Sequence, residues 1–332
     1  MTMRAHYRDA AGAVRLGELR VADDGAITIT ADHSGSGPVL DAGLVTGTFT
    51  DWHVHLQLID ERELDGGSIG RVLDLGGNPA VLRALSEDPG RPDPALGVRV
   101  DYAGAFITAP GGYPSDREWA PAGSTREVSE VDAAVAAVAE MARHGANHVK
   151  VASNGAAGPV LSDEVFSAIV AAAGAAGLPV VAHAEGPGEA LRAYRLGARV
   201  FAHTPFTERL NDAELRAFAR DSVWISTLDI HGWGTPDAAF EIARDNLAGF
   251  AQRGGRVRYG TDLGNGPLPV GLNRRELRAL GAAGLTAEAQ LAALTPRDPV
   301  RQPSRLLLIP GDVRGELDVA ATRPLSAGDL SS

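Results

Sequence analysis

Residues 148–184 read HVKVASNGAAGPVLSDEVFSAIVAAAGAAGLPVVAHA. The stretch divides into an apolar run at 148–152, a loop of small residues, an Ala-rich helical segment opened by Ser162, and a second apolar run at 180–184. Short apolar runs bounded by turn residues are strands buried on both faces, and a helix between two of them is the unit of a parallel sheet. Residues 165–184 carry no Asp, Glu, Lys or Arg, which meets the length of a membrane span. Gly174, Gly177 and Pro179 interrupt that run, so a helix, a turn and a buried strand account for it better than a span.

The same alternation extends outward in both directions. Strands are predicted at Leu44 to His55, Ser68 to Leu75, Val98 to Ile107, His148 to Ala152, Val180 to Ala184, Val200 to His203, Val223 to Leu228 and Val257 to Thr261. Eight strands separated by helices describe an α/β fold of the (β/α)8 TIM barrel type. Helix starts are marked by Ser129, Ser162, Asn211 with Glu214 three residues on, and Thr235 followed by Pro236. The flanks break the rhythm. Gly17 to Val21, Gly25 to Thr30 and Gly315 to Ala320 read as further strands, and Ala327 to Ser332 as a frayed tail. The expected organisation is a barrel over residues 44–305, with residues 1–43 and 306–332 pairing into one small β-sandwich side domain.

Composition narrows the chemistry. The 332 residues carry 31 basic and 42 acidic side chains, a formal net charge of −11, and no run of Lys or Arg. Such a surface repels phosphate backbones, so nucleic acid is not an expected partner. With no cysteine there are no disulfides, thiolate nucleophiles or Cys-type zinc sites. The charged N-terminal stretch has no apolar signal core, and a cytoplasmic protein acting on a small molecule, alone or as a homo-oligomer, is expected.

Three features carry chemistry. His53 and His55 close the first predicted strand, and side chains two apart on a strand point the same way, so both imidazoles reach the C-terminal mouth of the barrel. Such a pair can grip a metal, although His-x-His alone is weak evidence. Lys150 is the only lysine beside thirty arginines. Arg stays protonated, whereas a buried Lys can lose its proton and react as an amine, for example with carbon dioxide to form a carbamate. A structural ion pair is the plainer explanation of a buried lysine. Finally, His183 and His203 end the fifth and sixth strands, and Asp262 follows the eighth.

This order resembles the amidohydrolase superfamily of the binuclear-metal type. The resemblance is nearest to its prolidase-like and imidazolonepropionase-like branch and covers about the whole chain, most weakly residues 1–40. It is carried by Asp51-Trp52-His53-Val54-His55, Val149-Lys150-Val151, His183-Ala184-Glu185-Gly186, His203 and Gly260-Thr261-Asp262, with Arg71 to Gly77 and the stretch from Gly284 to Ala320 also similar. Prolidase-like members carry Gly-Gly-His after strand 3, and this chain has Gly111-Gly112-Tyr113.

The resemblance implies two divalent metal ions, zinc first among them. His53, His55 and Asp262 would hold one, His183 and His203 the other, and a carboxylated Lys150 would bridge the two. It further implies hydrolysis of a C–N bond, in an amide, a cyclic amide, a blocked amino acid or a dipeptide. The nucleophile would be a hydroxide held between the metals, with Asp262 as general base and then general acid.

Lactone or phosphoester hydrolysis at the same metals, and a catalytically retired binding protein, are the alternatives. A one-metal deaminase is disfavoured by Lys150. His231 after strand 7 is expected to touch substrate or a developing oxyanion, or else to be a solvent-exposed loop histidine. Tyr113, Arg117, Asn154 and Asn265 are candidate polar contacts, and Trp233 a candidate cavity wall. His148 is expected one layer deeper than Lys150. His6, His33 and His144 are expected at the surface, and Asn273 to Arg278 as a solvated helix face.

Overall fold

The computed structural model describes residues 3–23, 25–32, 35–88, 97–313 and 315–330. β1 (Met3–Arg8), β2 (Val14–Val21) and β3 (Ile27–Ala31) form an antiparallel meander, and β4 (Val39–Thr46) lies parallel to β1 on its other side. Alternate residues Ala5 and Tyr7 of β1 face one apolar cluster with Leu19, Ile29, Leu40 and Val45, the period-2 pattern of a sheet with one wet face.

The chain then enters its parallel strands. β5 (Phe49–Val54), β6 (Ile69–Asp74) and β7 (Arg99–Tyr102) pair in that order. β8 (Phe106–Thr108), β9 (Thr125–Glu127), β10 (Val149–Asn154), β11 (Val180–Glu185), β12 (Val200–Phe201), β13 (Val223–Ile225) and β14 (Arg256–Arg258) form a seven-stranded parallel sheet in the order β14-β13-β12-β11-β10-β8-β9.

Backbone hydrogen bonds link the two parallel sheets on both sides. On one side Asn147 N, just before β10, donates to Tyr102 O, while on the other Trp52 N donates to Tyr259 O and Asp262 N to His53 O. Between the strands run α1 (Pro79–Ser86), α2 (Val131–Arg143), α3 (Asp163–Ala175), α4 (Glu189–Arg195), α5 (Asp212–Asp221), α6 (Ala238–Gln252), α7 (Arg274–Ala282) and α8 (Ala287–Leu294). A large apolar core includes strand residues such as Val149 and Val151 and helix residues such as Phe166 and Leu247. A second, smaller cluster holds Leu73, Leu75, Ala103, Val181, Ala202 and Ile225, with Trp52 packed on it.

β15 (Leu307–Pro310) returns to pair antiparallel with β4, and β16 (Arg323–Pro324) adds to its far edge. The chain ends therefore share one six-stranded sheet.

Several boundaries differ from those expected. The apolar run at 44–55 is two strands, because Leu44 to Thr46 pair with Ile309 to Leu307 whereas Phe49 pairs with Ile69. The chain changes sheets at Gly47, where a Cβ would lie 2.8 Å from Arg297 O. The run at 98–107 breaks at Gly104, which sits at φ 79°. Ser162 caps α3 and Asn211 with Glu214 forms a capping box as read. Ser129 makes no cap, since Glu130 occupies that position with no side-chain bond, and Asp237 caps α6 in place of Thr235. Gly315 to Ala320 is not a strand. Leu317 makes one bridge to Gly311, and the Asp318 carboxylate then accepts from Ala321 N and turns the chain into a short 3-10 helix. Residues 327–330 form a 3-10 turn, and 331–332 and His33 lie outside the described residues.

Candidate active site

His53 is the fifth residue of β5 and His55 follows its end, so strand alternation sends both rings the same way. His53 Nδ1 lies 2.8 Å from Ala202 O and His55 Nδ1 3.0 Å from Gly76 O. A carbonyl only accepts, so each Nδ1 carries the proton, and a neutral ring then presents a lone pair at Nε2. Those Nε2 atoms lie 3.0 and 3.1 Å from a single oxygen, Oδ1 of Asp262.

Burial pushes His53 down to about 4, so that ring is neutral and its Nε2 has no hydrogen-bond partner. Burial also opposes a charge on His55, but Asp262, accepting from that ring and carrying a negative charge beside it, outweighs burial and raises the ring. Asp262 is itself held well below the carboxylate range. Burial works against its charge, and the His53 ring, with the close Nε2 approaches of both histidines, overcomes it. Electron-rich atoms converging on a point with too few protons between them are the donor set of a cation.

His203 completes this group: ligand atoms of His53, His203 and Asp262 lie within 4.8 Å of one another. Thr227 Oγ1, 2.9 Å from His203 Nδ1, fixes that ring. Asn265 donates to Asp262 Oδ2 at 2.8 Å. Asp74 is fully buried and accepts from Leu56 N and Gly76 N, holding the turns on either side of His55.

Two expected ligands stand differently. His183 Nε2 lies 3.1 Å from Glu185 Oε2, outside the His53, His203 and Asp262 group. Its ring stacks on Tyr113 at 5.1 Å and meets His203 edge-on at 5.0 Å. Lys150 is the second residue of β10, which runs on to Asn154, so it projects from within the strand rather than from its end. It is 1% exposed, and among the described residues no hydrogen bond or ion pair reaches it, which removes the structural ion-pair explanation. Burial lowers it to about 7 against the pull of Asp262 and Asp74.

A cavity of about 520 Å³ opens over these groups. Its polar side is the cluster just described with His183, Glu185, His231 and Asn265, and its apolar walls are Leu58, Phe106, Tyr113, Trp119, Phe206 and Ile230. His231 is 7% exposed, packed 4.5 Å from Phe206 and pushed to about 4 by burial. It is a neutral cavity histidine, not a solvent-exposed loop residue.

Tyr113 lines the cavity, whereas Arg117 lies behind it with its guanidinium 5.7 Å from the Tyr113 ring and does not line it. Asn154 also stands back: it donates to Glu185 Oε2 at 2.7 Å and accepts from Ala156 N and Ala157 N. Trp233 is exposed and donates to Asn265 O. His148 is half-buried, and His6 and His144 are too, rather than fully at the surface. The stretch from Asn273 to Arg278 is not simply a solvated face. Asn273 and Glu276 are fully buried, and Asn273 and Arg275 bind Asp229 behind His231.

Glu185, Phe106, Trp119, Phe206 and Thr227 were not identified from sequence. For Glu185 a signal existed, since it stands two residues beyond His183 on the same strand face. The others come from loops and strands whose convergence is tertiary.

No protein-family model matches the chain, and comparison with curated protein sequences finds no match. Solved structures do match. A Xaa-Pro dipeptidase with bound methionine in its active site superposes with a TM-score of 0.72 at 17% identity, over 94% of each chain. A putative prolidase from Bifidobacterium longum gives 0.69 at 22% identity, over 94% of this chain and 89% of that one. Phenylurea hydrolase B gives 0.70 at 13% identity, over 99% and 96%. The chain shares the fold of these hydrolases along almost its full length.

Proposed function

We propose that this protein is a metal-dependent hydrolase of the amidohydrolase type, cleaving a C–N bond in a small molecule. The observation that carries the reading is the convergence of His53 Nε2 and His55 Nε2 on one oxygen of Asp262, with both Nδ1 atoms already committed to carbonyls. The reading takes the linked parallel strands of residues 44–305 as a closed (β/α)8 barrel, with residues 1–43 and 306–332 as a side domain. The backbone hydrogen bonds from β14 and its following loop to β5 support it.

In this reading His53, His55 and Asp262 hold one divalent cation, His183 and His203 a second, and zinc suits a set of nitrogen and oxygen donors without sulfur. Lys150, as a carbamate, would supply a further oxygen donor. With a pKa near 7, a large fraction of its amine is neutral at neutral pH, and that amine adds to carbon dioxide with loss of one proton. The bound cations would supply Lewis acidity, lowering the pKa of a water to near neutrality and polarising the scissile carbonyl.

The remaining steps belong to side chains of this chain. Asp262 takes a proton from the attacking water and returns it to the leaving nitrogen, its Oδ2 oriented by Asn265. His231, neutral at working pH, donates a hydrogen bond to the developing oxyanion. Tyr113, stacked on His183, borders the leaving group, and the apolar walls exclude water.

Elemental analysis of the purified protein, with hydrolysis rates on a panel of amides and lactones, tests the reading. Bound zinc and preferential amide cleavage are expected. A protein that retains no divalent metal and gains no activity with added zinc and bicarbonate would be a binding protein instead.

A further inference from the structure

The strand starts, at the opposite end of the parallel strands from His55 and Asp262, carry a second concentration of charge. Arg71 is the third residue of β6, Arg99 the first of β7, and Arg256 and Arg258 the first and third of β14. Arg297 joins them at the start of β5, where its N–H donates to Thr48 O and its carbonyl accepts from Gly47 N. Alternation puts Arg71 on the face of Leu73 and Leu75, which pack with Trp52. The guanidinium carbons of Arg71 and Arg258 stand 5.2 and 5.1 Å from the centre of the Trp52 ring, so both groups flank one indole.

Compensation is scarce. Asp101, 3% exposed, pairs with Arg71 and Arg99. Among the described residues no carboxylate lies within ion-pair distance of Arg256, Arg258 or Arg297. Neighbouring charges confirm how close the group is: burial, then Arg256 and Arg71, lowers Arg258, and burial, then Arg99 and Arg71, lowers Arg297. His148, two residues before Lys150, adds a buried Nδ1 with no hydrogen-bond partner. A chain of net charge −11 thus gathers five arginines, two of them paired with Asp101, at one end of its parallel strands. Like charges so arranged repel, and planar guanidinium forks match tetrahedral oxyanions.

We propose that this mouth is a binding site for a multivalent oxyanion of the phosphate class, separate from the histidine cluster and independent of the hydrolase reading. The anion would sit over Arg71, which Asp101 and Trp52 hold in place, with Arg258 and Arg256 on one side of it and Arg297 and Arg99 on the other. Occupancy would relieve the mutual repulsion of the arginines and stabilise the strand starts.

The test is thermal unfolding of the full 332-residue protein with millimolar inorganic phosphate against sodium chloride at matched ionic strength. The wild type is compared with the double variant Arg256→Gln/Arg297→Gln. A second double variant, Arg143→Gln/Arg278→Gln, removes the same charge from helices. Phosphate should raise the wild-type Tm by roughly 2–4 °C and the helix variant equally, and the strand-start variant by clearly less. Without phosphate at low salt, the strand-start variant should unfold no lower than wild type, since it has lost repulsion, a result that loss of a merely structural contact would not give. Phosphate also binding at a metal centre raises all three proteins alike and leaves the comparison intact. An equal rise in all three, no rise in the wild type, or a strand-start variant already destabilised without phosphate overturns the proposal. Hydrolysis rates should be the same in all three, because none of these arginines touches the cavity.

Discussion

Thr227 Oγ1 lies 2.9 Å from Nδ1 of His203, and Thr227 holds a left-handed backbone at φ 45° with no exposed surface. A β-branched residue rarely adopts that conformation, which costs about 1–3 kcal/mol. The backbone N–H of Thr227 donates to Gly260 O, two residues before Asp262, so one strained residue ties the imidazole to the segment that carries the carboxylate.

Thr227→Val keeps the shape and removes the hydroxyl. Zinc affinity, read by competition with a chromophoric chelator, should fall about 10- to 100-fold, and Thr227→Ser should restore most of it. Unchanged affinity in the Val variant would remove this hydroxyl from the orientation of His203.

Lys150 is buried with its Nζ 5.8 Å from the centre of the Phe106 ring and, among the described residues, in no ion pair, so replacing it by the uncharged Met should be tolerated by the fold. Lys150→Met should lose bound metal and hydrolysis together, and short-chain carboxylic acids should restore part of both. Full metal content and rate in this variant would eliminate the carbamate.

For Asp262 the two functions separate. Asp262→Asn retains an oxygen ligand and loses the proton acceptor, so turnover should drop about 10²- to 10⁴-fold while metal content falls far less. Steady-state rates with elemental analysis of the same sample check this. Parallel losses would make Asp262 a ligand only.

Glu276 supplies a pH dependence away from the metals. Burial raises its carboxyl from 4.5 to about 7, against the hydrogen bonds it accepts from Ser226 and from Asp229 N, while its Oε1 has no partner. The folded protein therefore holds this proton more tightly than the unfolded chain. Its favourable contribution is complete below about pH 4.5 and is lost as pH rises through about 7. Glu276→Gln keeps an acceptor for Asp229 N without the titration. Its stability relative to wild type, from urea unfolding, should improve between pH 5 and pH 8 by roughly 2–3 kcal/mol, at 1.4 kcal/mol per pKa unit. A difference independent of pH would show that Glu276 is ionised in the fold.

Much of this protein was legible along the chain. Period and punctuation gave the alternation of strands and helices, because burial on both faces of a parallel strand favours an uninterrupted apolar run, as at Val180 to Ala182. The caps at Ser162 and Asn211 were legible because a side chain and the backbone N–H it accepts from lie within three residues. His53, His55, His203 and Asp262 stood out because each follows such a run, and alternation alone directs them to one rim.

Tertiary structure decided what depends on partners distant in sequence. Leu44 to Thr46 separated from the first parallel strand because β15, more than 250 residues onward, offered its edge. His183 stacks on Tyr113 because a separate loop brings that ring to it, and the approach of Arg71 and Arg258 to the one Trp52 ring has no trace in any local window. Backbone periodicity is a property of neighbours in the chain and can be read from them. Which charges end up sharing a low-dielectric space is set by the packing of many strands at once, and only the folded chain specifies it.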